Sequence, residues 1–151
     1  MALMDLIKAR HSIRKYTDEQ IRREDLDTIL EAGNYVSKEE PSTIDAPSIK
    51  NGFYDAPTVV CVFCQDNFLF KTADAFCMME NMILQATELG IASCIISRGA
   101  ETFDSEEGRE MMREWEVPEG YACQGFVLLG YIDGEQPHSK PRKPGRIKVV
   151  E

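Results

Sequence analysis

Histidine is nearly missing from this chain. Among 151 residues only His11 and His138 carry an imidazole, and tryptophan occurs once. Two histidines so far apart in sequence suggest neither a Ser–His–Asp arrangement nor a His-rich metal site. Long apolar runs are missing too, and nothing approaches the roughly 18 consecutive apolar residues of a membrane-spanning helix. The opening MALMDLIKAR has no basic leader followed by an apolar stretch, so no secretory signal is expected. The five cysteines, Cys61, Cys64, Cys77, Cys94 and Cys123, are odd in number. Without a signal, that predicts reduced thiols in a cytoplasmic protein. Neither internal repeats nor low-complexity segments occur.

Positive charge is also scarce: 17 Lys and Arg stand against 26 Asp and Glu, a formal net charge of −9. That balance argues against general nucleic-acid binding. The scarcity is uneven, however. Residues 1–23 carry six Lys/Arg against three Asp/Glu, residues 136–151 carry five against one, and residues 24–135 carry six against twenty-two. The stretch KARHSIRKY, Lys8–Tyr16, gathers Lys8, Arg10, His11, Arg14 and Lys15. An acidic chain with two basic ends is suited to holding a small anion between them.

What remains is ordinary globular material, 43% hydrophobic and 28% charged, in a length that suits one domain. Leu3, Leu6 and Ile7 predict a helix over about 1–10, and Leu26, Ile29, Leu30 and Gly33 a second over 24–35. Residues 34–52 are polar, contain two prolines and read as a loop. PTVVCVF predicts a buried strand. Residues 71–89 form the longest helical pattern, with Ala75, Phe76, Met79, Met82, Ile83 and Ala86 facing inward and Gly90 as its stop. IASCIIS predicts a short strand. Asp104, three residues before Glu107, resembles a capping box opening another helix. CQGFVLLGY predicts a last strand, followed by a basic, Pro-rich tail ending in the β-prone IKVV. The order predicts an α+β fold with helices on both faces of a small mixed sheet.

Arg10 and Arg14 offer forked donors to a phosphate, Ser12 a hydroxyl and His11 a ring donor or backbone contact. Lys140 and Arg142 are a second basic set able to close the same site. A basic cluster at a helix C-terminus also simply suits the helix dipole. Cys61 and Cys64 are spaced like a redox pair, but within a strand residues three apart point to opposite faces. All five cysteines read mostly as core. With so few acid–base or nucleophilic groups, an enzyme of this composition would rely on a bound cofactor.

The pattern RHSIRKYTDEQIRREDLDTILEAG resembles the opening of the FMN-dependent nitroreductases. FYDAPTVVCVF resembles that family's aromatic-x-Ala-Pro segment leading into a central strand. ADAFCMMENMILQATELGIASCII resembles its long central helix running into Leu-Gly-x-x-Ser, and EGYACQGFVLLGY with KPRKP its closing strand and basic tail. The resemblance implies one nitroreductase-like domain over 1–151 in an intertwined homodimer, with 136–151 an arm reaching the partner subunit. It implies FMN at the interface, its phosphate held by Arg10, His11, Ser12, Arg14, Lys140 and Arg142, and its ring near Ser97 and Arg98. It implies no catalytic side chain, since hydride from NADH or NADPH passes through flavin N5 to a nitroaromatic, quinone or similar small acceptor in ping-pong fashion. Arg98 would then stabilise negative charge at the flavin N1–O2 edge. One departure stands out: the family's Pro-Ser-x-x-Asn-x-Gln segment is replaced by the shorter 34–52 stretch, where PSIKN, Pro47–Asn51, only imitates it. That departure favours an alternative, a non-catalytic module binding FMN or another phosphate ligand on the same fold.

Overall fold

The computed structural model describes residues 2–34, 42–45, 53–97 and 99–137, with 33–34 and 42–45 described by their backbone alone. Of the arm expected over 136–151, residues 138–151, with Lys140 and Arg142, lie outside the described residues, as does Arg98.

Two helices open the chain, α1 (Leu3–Ala9) and α2 (Arg23–Asn34). α1 buries no residue, and the apolar side chains of Leu3, Met4 and Ile7 stay exposed. In α2, Leu26 and Ile29 are buried, and the buried carboxylate of Asp25 takes both donors of the Arg22 fork at 2.8 and 2.9 Å. Pairing of that kind is what makes a buried charge tolerable.

The segment read as a loop contains a strand, β1 (Ser42–Asp45), which pairs antiparallel with the outer edge of β2 (Thr58–Gln65) from Ser42↔Phe63 to Asp45↔Val60. Two β-branched residues, Thr43 and Ile44, in a polar stretch are too short a strand signal to read from the sequence. An open neighbouring edge supplies the hydrogen bonds that composition does not announce.

β2 is buried on both faces, and its alternation sorts its side chains. Val60, Val62 and Cys64 face the core formed with α2 and α3 (Lys71–Glu88), while Val59, Cys61 and Phe63 face the other way. Cys61 and Cys64 therefore do point to opposite faces. The inner face of α3 is Ala75, Met78, Met79, Met82, Ile83 and Ala86; Phe76, expected among them, is only partly buried. Gly90, at φ +75°, ends the helix in a left-handed turn.

β3 (Ala92–Ile96) and β4 (Tyr121–Gly130) complete a sheet of order β1-β2-β4-β3, antiparallel at each pair of neighbouring described strands. Beyond the strands, an isolated parallel bridge joins Ser12 to Ser93 at the free edge of β3. On the face away from α3, Phe53, Phe63, Phe103 and Phe126 pack together, with ring centroids 4.8 Å apart for Phe53–Phe126 and 5.1 Å for Phe63–Phe103. A 3₁₀ turn (Ala100–Asp104) and α4 (Glu106–Glu114) cover that face. The expected α+β architecture, with helices on both sides of a small sheet, is thus observed, and the described strands of that sheet pair antiparallel.

The start of α4 differs in detail from the capping box expected at Asp104. Asp104 closes the 3₁₀ turn, and Ser105, in extended conformation, is the cap: its Oγ accepts the Gly108 N–H at 3.0 Å. No described helix is long and apolar enough to cross a membrane.

Candidate anion-binding site

α1 ends because Arg10 leaves the helical region for φ −65°, ψ 128°, while its N–H still donates to the Leu6 carbonyl at 3.0 Å. From there the chain runs along the sheet edge. The Ile13 N–H donates to the Ser93 carbonyl at 2.9 Å, and the Thr17 N–H to the Tyr131 carbonyl at 2.9 Å. Buried Ile13 and Tyr16 pin the segment, and the Tyr16 hydroxyl donates back to the Ile13 carbonyl at 2.9 Å. Tyr16 fits because position 130 is glycine: a Cβ there would stand 2.8 Å from Tyr16 Cδ1 and 2.9 Å from Pro57 Cδ.

Residues of alternate number on such a segment share a side. Arg10, Ser12 and Arg14 converge around Cys94 on β3. Burial pushes the Cys94 thiol up from its ordinary range, opposed by the nearby Arg14, the Ser12 hydroxyl and Arg10. The Arg14 guanidinium lies over the Tyr54 ring, Cζ to centroid 5.9 Å.

Lys15, Arg22, Arg23, Lys71, Arg109 and Arg113 all pair with carboxylates. Among the described residues, no carboxylate forms an ion pair with Arg10 or Arg14. In a chain of net charge −9 with acidic partners in excess, two arginines left open beside a hydroxyl are equipped to take an external anion in charge-assisted, forked hydrogen bonds.

The other expected site residues are placed differently. The His11 ring turns to the opposite side, where Nδ1 sits 2.8 Å from the Ala9 carbonyl oxygen, and helps line a cavity of about 140 Å³ with Ile13, Ile91, Ser93 and Ile132. Its ring is not part of the cluster. Ser97 is exposed just past the end of β3, three residues beyond Cys94. Two members were not singled out from the sequence. Cys94 looked like plain core, which it is, and its place beneath the cations depends on the Ser12–Ser93 register. Tyr54 was seen only as the aromatic of the Ala-Pro segment.

The TM nitroreductase family model matches residues 2–144. The crystal structure of a Bacteroides fragilis nitroreductase with bound FMN is 31% identical and superposes with a TM-score of 0.87, each chain covered in full. A Desulfitobacterium hafniense nitroreductase with bound FMN, 23% identical, also reaches 0.87 with both chains covered in full. An FMN-dependent nitroreductase from Clostridium difficile, 21% identical, reaches 0.80 over 97% of this chain and 98% of that one. These last two speak for the fold. No curated protein matches the sequence.

Proposed function

The chain belongs to the nitroreductase family, and from that premise we propose that it is an FMN-dependent oxidoreductase. It takes hydride from NADH or NADPH and delivers electrons to a nitroaromatic, quinone or similar small acceptor. The observation that carries this reading is the pair Arg10 and Arg14, which form no ion pair among the described residues, near Ser12 and Cys94 at the free edge of β3. Their donors match a phosphate monoester, the anionic end of FMN.

Bound FMN supplies hydride acceptance at its ring nitrogen N5. The chain's own part is binding and polarity. Arg10, Ser12 and Arg14 would hold the phosphate, with Lys140 and Arg142 of the tail as further cations for it. His11 contributes through its backbone, since its ring faces the Ala9 carbonyl. Ser97 and Arg98, next after β3 in the chain, would serve the ring, with the Arg98 cation offsetting negative charge on the reduced flavin. One pocket serves both substrates in turn, which gives ping-pong kinetics. The working form is a homodimer: the exposed Leu3, Met4 and Ile7 of α1 are the apolar surface a second copy would cover.

Titration of flavin-free protein with FMN, followed by flavin fluorescence, tests the cofactor; no change at high micromolar FMN overturns it. Oxidation of NADH or NADPH with FMN and a quinone present tests the reaction. FMN binding without oxidation of either nicotinamide would support the non-catalytic module.

A further inference from the structure

The turn before β2 carries a conformational cost. Phe53–Ala56 closes with the Ala56 N–H donating to the Phe53 carbonyl at 3.0 Å. Its two central residues, Tyr54 and Asp55, sit at φ 53° and 54°. That left-handed pair is the pattern of a type I′ turn, which Asn and Gly normally fill. Bulky residues there are strained, and such strain persists where the surroundings hold it and tends to mark function.

The surroundings do hold it. Phe53 is buried with its ring against Phe126, Ala56 is buried, and Pro57 packs beside Tyr16 at Gly130. The apex is the exception: Tyr54 is 45% exposed. The described contact its ring makes is with the Arg14 guanidinium. Asp55, next in the chain, forms no ion pair with Arg14 among the described residues.

We propose that Tyr54 is a positioning residue for the flavin phosphate: the strained turn holds its ring under Arg14, so that the guanidinium is already oriented toward the space above Ser12 and Cys94 when the anion arrives. The proposal rests on the FMN reading given above. A long arginine side chain loses rotamer freedom on binding, and a planar aromatic face removes much of that freedom beforehand without competing for its hydrogen bonds. A carboxylate in the same place would orient the arginine but neutralise it.

The test is a titration of flavin-free protein with FMN and with riboflavin, alongside thermal melting of the flavin-free protein. Tyr54→Ala and Tyr54→Gly should each weaken FMN by about two- to fivefold, the range of an exposed cation–π contact. Tyr54→Phe, which keeps the ring, should match wild type. Riboflavin, which lacks the phosphate, should not respond to any of them. In an Arg14→Ala background, Tyr54→Ala should add no further loss. Tyr54→Gly should melt above Tyr54→Ala, because glycine removes the left-handed penalty, yet bind FMN no better. Affinity then follows the ring and not stability. If wild type fails to bind FMN, the flavin reading falls and takes this proposal with it. If wild type binds and the ringless variants bind equally well, or Tyr54→Phe is as weak as Tyr54→Ala, or affinity tracks melting temperature, the role of Tyr54 alone is overturned.

Discussion

Gly108 in the first turns of α4 lies directly against the Thr102 carbonyl of the preceding 3₁₀ turn. A Cβ at position 108 would press on that oxygen and stand 2.5 Å from the Phe103 Cα. Both neighbours are backbone and cannot swing away. Gly108→Ala should therefore force α4 off the aromatic face of the sheet, losing about 1–3 kcal/mol of stability, the usual cost of overpacking. Urea unfolding measures it; an unchanged midpoint would show that α4 is more loosely seated than described.

The proposed phosphate site predicts that neighbouring cations differ sharply. Arg10→Ala and Arg14→Ala each remove a charge-assisted contact of about 1.5–3 kcal/mol, or roughly ten- to hundredfold in FMN affinity. Lys15→Ala removes the same charge one residue away, but Lys15 pairs with Asp133 across 3.0 Å and both are well exposed. It should leave FMN affinity nearly unchanged. Equal losses from Arg14→Ala and Lys15→Ala would mean that only overall charge matters.

Tyr16→Phe tests how the site's backbone is held. The variant keeps the ring in its seat at Gly130 but leaves the Ile13 carbonyl without the hydroxyl that donates to it. An unsatisfied buried acceptor costs about 1–3 kcal/mol. Equilibrium denaturation should show that loss, and an undiminished stability would place water or another donor at Ile13.

Alkaline conditions should destabilise the fold through its buried thiols. Burial, with a smaller contribution from the charge of Asp104, pushes Cys123 from its ordinary value of 9.0 up to about 12. Below pH 9.0 the thiol is protonated in both folded and unfolded chains. Above it the unfolded chain gives up a proton that the folded chain retains, so stability falls as pH rises toward about 12. Cys123→Ala should flatten that decline. Unfolding free energies measured from about pH 8 to about pH 11 decide it; identical slopes in the two proteins would contradict the shift.

The dimer expectation is tested by light scattering on the full chain and on one ending at Gln136. A monomer at micromolar concentration in the full chain would contradict it. A dimer that survives truncation would place the contact on surfaces such as the exposed face of α1 instead of on the arm.

By itself, the sequence determined what depends on short-range pattern. VVCVF and FVLLG are apolar runs that only a doubly covered strand accommodates. The Ala75–Met79–Met82–Ile83–Ala86 stripe repeats at helical spacing, and Gly90 can take the left-handed stop that a bulkier residue would resist. The cations of KARHSIRKY stand out because the rest of the chain is acidic. Tertiary structure decided whatever needed two distant segments. β1 pairs with the open edge of β2, and the two β-branched residues Thr43 and Ile44 are too short a run to announce it. Ser105 caps α4 in place of Asp104 because the 3₁₀ turn before it ends one residue earlier. The Ser12–Ser93 bridge fixes how the proposed phosphate residues lie against β3, and the His11 ring turns back to the Ala9 carbonyl. Tyr54 joined them through a turn forty residues from Arg14. Periodicity is a property of neighbours along the chain, whereas register and stacking are set by whichever edge and face the folded chain presents.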